Sequence, residues 1–235
     1  MSKYAYAARD KFIADLDYTN RISHMLASET SLNIADKINS KKAIKSLSTI
    51  SEAIHKDTVY ITVVDKDRMA VSLIYSIFHS FGSGIASNKY GILFQNRGAG
   101  FTLELDHPNE LAGGKRPMHT IIPGMLMERG RVTMPFGVMG GGYQPKGHAR
   151  LLSNMLDFDL NIQEAIDGPR SFYENGVLKL ERGYVSNVRQ QLVEMGHKVQ
   201  IPHVPIGGAQ AIMIGENGVL TGASDPRKDG CALGY

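Results

Sequence analysis

Three places in the 235-residue chain combine residue types and spacings that could do chemistry. The first is Thr58, which follows Asp57 and opens the run Val59-Tyr60-Ile61-Thr62-Val63-Val64. A threonine hydroxyl is a weak nucleophile and needs a base beside it to take its proton. The residue's own α-amine, with a reference pKa of roughly 7.7–8.0, is one economical base. As encoded, that nitrogen is an amide, so nucleophilic use of Thr58 requires prior scission of the Asp57–Thr58 bond. Without other support, Thr58 reads simply as a threonine at a strand edge. The second place is Gly140-Gly141-Gly142, between a strand-like and a helix-like stretch. Backbone N–H groups in such a run can converge on an anion, either a phosphate or an oxyanion. No P-loop ending or dinucleotide fingerprint accompanies it, so a flexible turn is the alternative. The third is the pair Phe81-Gly82-Ser83-Gly84 and Gln95-Asn96-Arg97-Gly98-Ala99-Gly100-Phe101. Arg97 amid flexible backbone suits a carboxylate-bearing ligand, because a guanidinium fork matches carboxylate geometry. The alternative is two surface loops with a solvated arginine.

Other reactive side chains form no comparable set. Asp106-His107-Pro108-Asn109 offers one His and one Asp, which is not a metal-ligand set. His119 and His148 read as packing or surface residues, and Cys231 as an incidental thiol with no base nearby. A single cysteine also excludes an internal disulfide framework and a multi-cysteine zinc site.

These candidates need elements to position them. The chain is polar and helix-like before residue 57: Ile34, Ile38 and Leu47 to Ile54 recur at loose helical spacing, and Asn39–Ser46 reads as an exposed helix or linker. After Asp57 the β-branched run predicts a strand over 58–64, a turn at Asp65–Arg68 and a second strand over Met69–Ile77. Further strands are expected at Gly91–Gln95, Ile121–Met127 and Val132–Val138. Helices are expected over His148–Phe158, after a capping box at Asn161 and Glu164, and over Val185–Met195 with Gly196 as cap. A last hairpin runs from Gln210–Ile214 through Asn217-Gly218 to Val219–Thr221. Strands, then helices, then strands do not alternate as βαβ units, so an α+β sandwich is expected.

Composition narrows the function classes. With 43% hydrophobic and 21% charged residues the chain is globular, and its length suffices for one ordinary domain or two small ones. A formal charge of +3, with no aromatic–basic stripe, argues against nucleic acid as partner. The longest apolar runs fall far short of the roughly 20 residues that span a bilayer. Met1–Asp10 contains no apolar signal segment, from which a cytoplasmic product is expected.

Six segments occur in a recognisable order: Asp57–Asp65, Phe81–Gly84, Gly114-Lys115-Arg116-Pro117, Met139–Gly142, Glu164–Arg170 and Gly222-Ala223-Ser224-Asp225-Pro226-Arg227. Together, from about Tyr4 to Tyr235, they resemble the γ-glutamyltransferase (γ-glutamyltranspeptidase) family of N-terminal-nucleophile hydrolases. The resemblance implies a four-layer αββα sandwich and a precursor that cleaves itself between Asp57 and Thr58, a zymogen. Thr58 would be the nucleophile and Ser76, where many members have Thr, the supporting hydroxyl. The amides of Gly140 and Gly141 would be the oxyanion donors. The implied reaction is acyl transfer from a γ-glutamyl (glutathione-type) amide to water or an amine, with no metal and no cofactor. Residues 1–57 resemble only the tail of the family's large chain and 58–235 the small nucleophile chain. Most of the large-chain half of the sandwich is thus missing, and a large-chain partner or a homo-oligomer is expected.

Several positions depart from glutathione-type transpeptidases. Phe78 stands where they have Asn, Gly100 where they have an acidic residue that binds the substrate amine, and His119-Thr120 where they have a serine pair. Gln95–Gly98 with Asp106–Asn109 instead resembles the acylase-like branch. A γ-glutamyl or glutaryl-like acyl group, held partly by Arg97 or His119 beside Gly100 and Thr120, is the resulting expectation. The alternatives are a glutaryl-type, cephalosporin acylase-like amidohydrolase and a non-catalytic remnant that binds a partner chain.

Overall fold

Side chains on either side of Asp57 differ in kind, and the backbone follows. The computed structural model of the chain describes residues 1–44 and 56–235, with Lys56 and Asp57 as backbone only. The helical pattern expected over Leu47–Ile54 lies outside the described residues. Within the described part of Asn39–Ser46, residues 39–44 form turns and bends, not a helix. The chain divides into two compact units.

One unit draws on 56–95, Thr120–Arg170 and Pro202–Tyr235. Strands β1 (Lys56–Val64) and β2 (Ala70–His79) form the expected antiparallel hairpin. Its turn is held by Asp65, whose Oδ1 accepts from the amides of Asp67 and Met69. Four antiparallel strands make a second sheet: β3 (Pro123–Glu128), β4 (Arg131–Met139), β8 (Gly208–Ile214) and β9 (Leu220–Ser224), in the order β3-β4-β8-β9. The hairpin stacks on one face of this sheet. A Cβ on Gly137 would meet the ring of Tyr60 at 2.3 Å, so only glycine lets the two layers approach there. The Tyr60 hydroxyl lies 2.7 Å from Ser72 Oγ, which in turn donates to the Phe136 carbonyl at 3.3 Å. Helices α4 (Gln144–Leu156) and α5 (Ile162–Asp167) cover the opposite face. Gly147 packs against Val138 and Tyr143, and Gln163 exchanges two hydrogen bonds with the backbone of Ser224. The core comprises Met134, Phe136, Val138, Tyr143, Leu151, Ile162, Ile166 and Ala211.

Two expectations change in this unit. Gly91–Gln95 is no strand: only an isolated bridge, Ala86 to Leu93, forms, while Ile92 and Phe94 stay half exposed. β propensity without a partner strand does not make a ladder. Helix α4 starts four residues before His148, because Pro145 lies in the first turn, where its missing N–H costs nothing.

The other unit comprises α1 (Ser2–Phe12), α2 (Ile22–Leu26), α3 (Ser28–Ala35), the segment Asn96–His119, and Ser171–Ile201. The last segment folds as β5 (Ser171–Glu174), β6 (Val177–Leu180), α6 (Ser186–Glu194) and β7 (Val199–Gln200), a three-stranded sheet with β6 and β7 parallel. Tyr6 of α1 meets Phe172 edge-on at 5.8 Å, and the Lys3 ammonium sits 3.9 Å from the Tyr173 ring centre. The β5–β6 turn is Asn175-Gly176, both at positive φ, a hairpin that the sequence reading passed over.

Candidate active site

Thr58 sits near the start of β1, facing the four-stranded sheet with Tyr60. Opposite it, the hairpin carries a bulge: Asp57 pairs with Phe78 but Thr58 with Ser76, leaving Ile77 as the extra residue. The bulge turns the chain so sharply that Phe78 adopts φ +77, an uncommon conformation for a bulky side chain. The Thr58 hydroxyl lies 3.0 Å from Ser76 Oγ, which also accepts from the Phe78 amide at 3.1 Å. The Asp57–Thr58 peptide therefore lies at the register slip, and the two hydroxyls named from the resemblance are in contact.

The glycine run lies at the same end of the stacked sheets. Arg68 in the hairpin turn reaches the Gly218 carbonyl in the β8–β9 turn, which places the hairpin tip at the far end of β8. The near end of β8 begins at Gly208, paired with Met139, the last residue of β4. From there the chain enters Gly140 (φ +121) and Gly141 (φ +55), then the single 3-10 turn Gly141–Tyr143, and continues directly into α4. The amides of a first helical turn lack intrahelical acceptors and carry partial positive charge, which suits a developing oxyanion. Gly140 also has a steric reason to be glycine, since a Cβ would come within 2.9 Å of Gly207 Cα.

A buried ionic cluster braces this end. Arg170, 4% exposed, donates to the Ile206 carbonyl at 2.8 Å and to the Asp225 carboxylate. The same carboxylate accepts from the Ala209 amide at 2.8 Å and from Arg227. Gly207, which Gly140 abuts, and Gly208, paired with Met139, are thereby held from both sides. Glu164–Arg170 and Gly222–Arg227 entered the sequence reading only as motifs, and their pairing could not be read across 55 residues.

Thr120, 3% exposed, belongs to this unit too. Two residues on, the Ile122 amide donates to Oε1 of fully buried Gln144 at 3.0 Å. His148, one helical turn further along α4, faces the Ile122 backbone and rests against Phe136 at 5.0 Å. Burial drives the His148 pKa down to about 4, so the ring is neutral near pH 7. Desolvation likewise lowers Lys146 and raises Tyr60.

Arg97, Gly100 and His119 fall in the other unit. Arg97 opens the 3-10 turn Arg97–Gly100 and is 6% exposed, which overturns the reading of a solvated surface arginine. Asn109 organises this neighbourhood: its Nδ2 donates to the Gly100 carbonyl at 2.6 Å and its Oδ1 accepts from the Met118 amide at 2.9 Å. The Asn109 amide donates to His107 Nδ1 at 3.0 Å. His119 is exposed, with Nδ1 2.7 Å from the Pro117 carbonyl. Gln144 is not among the residues expected from the sequence, while Asn109, Arg170, Asp225 and Arg227 enter there only within motifs and without these partners. The i, i+4 spacing of Gln144 and His148 was the one available signal, and it was hidden by starting the helix too late.

An α+β sandwich with a threonine hydroxyl at one end of stacked sheets, the end that also carries a glycine turn leading into a helix, is the arrangement of an N-terminal-nucleophile hydrolase. The sequence profile of the Gamma-glutamyltranspeptidase family matches residues 1–235, and the chain belongs to that family. It is 37% identical over 193 residues to the Glutathione hydrolase-like YwrD proenzyme of Bacillus subtilis, covering 78% of this chain and 37% of that protein. It is also 37% identical over 245 residues to the Oxamate amidohydrolase proenzyme of Klebsiella pneumoniae, covering 100% of this chain and 46% of that protein. Among solved structures, the cephalosporin acylase from Bacillus halodurans superposes with a TM-score of 0.89 at 34% identity, over 99% of this chain and 44% of that one. The chain spans less than half the length of these relatives. Among the described residues, no helix is long and apolar enough to cross a membrane.

Proposed function

We propose that this chain is the nucleophile-bearing part of an acyl-transferring amidohydrolase that matures by cleavage of its own Asp57–Thr58 bond. Residues 1–57 then correspond to the end of a large chain and 58–235 to the small one. The observation that carries the reading is the Thr58–Ser76 hydroxyl pair at a β-bulge, at the same end of the stacked sheets as the Gly140–Gly141 turn. After cleavage, the liberated α-amine of Thr58 takes the hydroxyl proton as Oγ attacks the substrate amide carbonyl. The amides of Gly140 and Gly141 stabilise the tetrahedral oxyanion. The C–N bond then breaks, the amine carries the proton to the leaving group, and a threonyl ester remains. Water or an amine attacks that ester, releases the acyl group and returns the proton.

In this reading, as the family resemblance implies, the acyl group is γ-glutamyl or glutaryl-like, with Arg97 as its carboxylate partner and Gly100, His119 and Thr120 as further contacts. Gly100 leaves no acidic group at that position for a substrate α-amine, which favours the second reading, a glutaryl-type amidohydrolase with water as acceptor. The partner is the remainder of a large chain. Val59, Ile61, Val63, Val71, Leu73 and Tyr75 all point away from the four-stranded sheet and are 43–63% exposed, an apolar face that a partner would cover.

Denaturing electrophoresis tests cleavage directly: the wild type should resolve into two pieces and Thr58→Ala into one. Rates on γ-glutamyl and glutaryl anilides then identify the acyl group. Inactivity of the cleaved, partner-complete protein on both would overturn the substrate assignment.

A further inference from the structure

Gln144 and His148 are expensive residues to place where they are. Gln144 is 0% exposed and His148 9%, yet Nε2 of each finds no hydrogen-bond partner among the described residues. Apolar side chains of similar size would carry no unsatisfied polar atom of their own. What the two residues do accomplish is specific: one turn apart on α4, both hold the backbone of Ile122, Gln144 by accepting from its amide and His148 by setting its ring against it. Ile122 stands between Thr120 and the start of β3. Gln144 is also the first residue of α4, directly after the turn that contains Gly141. Phe136 of β4 closes the arrangement, with the His148 ring on one side and Gly124 of β3 packed so closely on it that a Cβ there would lie 2.7 Å from the ring.

We propose that Gln144 and His148 are positioning residues that lock the Thr120–Ile122 segment to the Gly140–Gly141 turn, so that the oxyanion donors and the Thr120 hydroxyl are set as one body. The proposal rests on the assignment of those groups to the site given above. Neither Gln144 nor His148 touches substrate in it. Gln144 grips the segment leading into β3 from the first residue of α4, directly after the 3-10 turn that begins at Gly141, and the His148 ring keeps that grip from rotating. A loosened Ile122 would therefore loosen residues 140–143 as well.

The test uses Gln144→Met and His148→Leu, which remove each grip at similar volume, and His148→Asn, which returns a donor near the position of Nδ1. Hydrogen exchange followed by mass spectrometry on the full chain reads peptides covering 120–124 and 139–143. Both peptides should exchange faster together, by about tenfold or more, in Gln144→Met and His148→Leu, and His148→Asn should restore much of the protection. In the active protein kcat should fall about 10- to 100-fold while KM stays within about threefold, the signature of misplaced groups rather than lost substrate contact. Loosening confined to 120–124, or a His148→Asn variant no better than His148→Leu, overturns the proposal. The exchange measurement needs no substrate, so a wild type lacking Thr58-dependent hydrolysis would refute the proposed function while the coupling is still decided by itself.

Discussion

Replacing Gly137 by alanine should tilt the hairpin and reach Thr58 through Tyr60. The added methyl would lie 2.3 Å from two ring carbons of Tyr60, well inside van der Waals contact, and the ring is 3% exposed with nowhere free to swing. Overpacking of this kind costs ~1–3 kcal/mol. A displaced ring also loses the hydroxyl contact to Ser72, worth about 1 kcal/mol. A total of roughly 2–4 kcal/mol corresponds to a fall in Tm on the order of 10 °C for a chain of this size. Thr58 lies two residues from Tyr60 on the same strand face, so the fraction cleaved at Asp57–Thr58 should fall with stability. A double-mutant cycle isolates the contact: Tyr60→Leu removes the clashing ring, so Gly137→Ala with Tyr60→Leu should be more stable than the two single effects summed, by at least about 1 kcal/mol. Denaturant unfolding supplies the free energies and gel densitometry the cleaved fraction. Strict additivity, or full cleavage in Gly137→Ala at unchanged Tm, would show that the layers do not meet at this point.

Thr58→Ala should abolish cleavage on a denaturing gel while lowering stability by no more than about 1.5 kcal/mol, since it removes one part-buried hydrogen bond. Asp225→Asn should cost about 3–5 kcal/mol by leaving Arg170 buried without its counter-charge, and Arg170→Met with Asp225→Leu should melt higher than Asp225→Asn alone, as differential scanning calorimetry would show. His148 has a folded-state pKa of about 4 against 6.5 when unfolded, so the unfolded chain binds the extra proton between those values. Its contribution is complete above about pH 6.5 and shrinks as the pH falls towards 4, by roughly 3 kcal/mol in all. Tm measured from pH 7.5 to 4.5 should therefore fall less steeply in His148→Asn than in the wild type.

Local signals were the legible ones. The β-branched run after Asp57, the Asn161–Glu164 capping box and the Asn217-Gly218 turn each carry their instruction within a few residues, and each element formed where expected. Asn175-Gly176 carries the same turn chemistry, but its strands are only four residues long and do not alternate clearly in polarity. Gly91–Gln95 failed for the opposite reason: apolar residues in a row imply a strand only when a partner lies alongside. At the site, Thr58, Ser76 and the two glycines came from motif order, whereas their supports did not. Arg170 meets Asp225 across 55 residues, and Gln144 and His148 act on Ile122, 22 residues from the first of them, so only the folded chain brings them together. Burial of Arg97 is a tertiary fact of the same kind.

The hairpin that carries Thr58 departs from the usual pattern of a one-sided sheet. Antiparallel strands normally turn apolar residues to the core and polar ones to water. Here the face towards the four-stranded sheet mixes Thr58, Tyr60, Thr62, Ser72 and Ser76 with Val64, Ala70 and Ile74, whereas the opposite face presents only valine, isoleucine, leucine and tyrosine. Polar side chains inside are explained by hydrogen bonding, as in Tyr60–Ser72 and Thr58–Ser76. The apolar outer face is explained only if the hairpin is central in a larger body and covered on both sides. That has a chemical consequence for the proposed mechanism. An α-amine in a covered, low-dielectric site has its pKa lowered, because burial disfavours the ammonium, and it is then unprotonated and ready to act as base near neutral pH. In the proposed mechanism, covering the outer face would therefore do more than stabilise the hairpin: it would favour the unprotonated amine once cleavage has released it, so catalysis should gain from a covering partner.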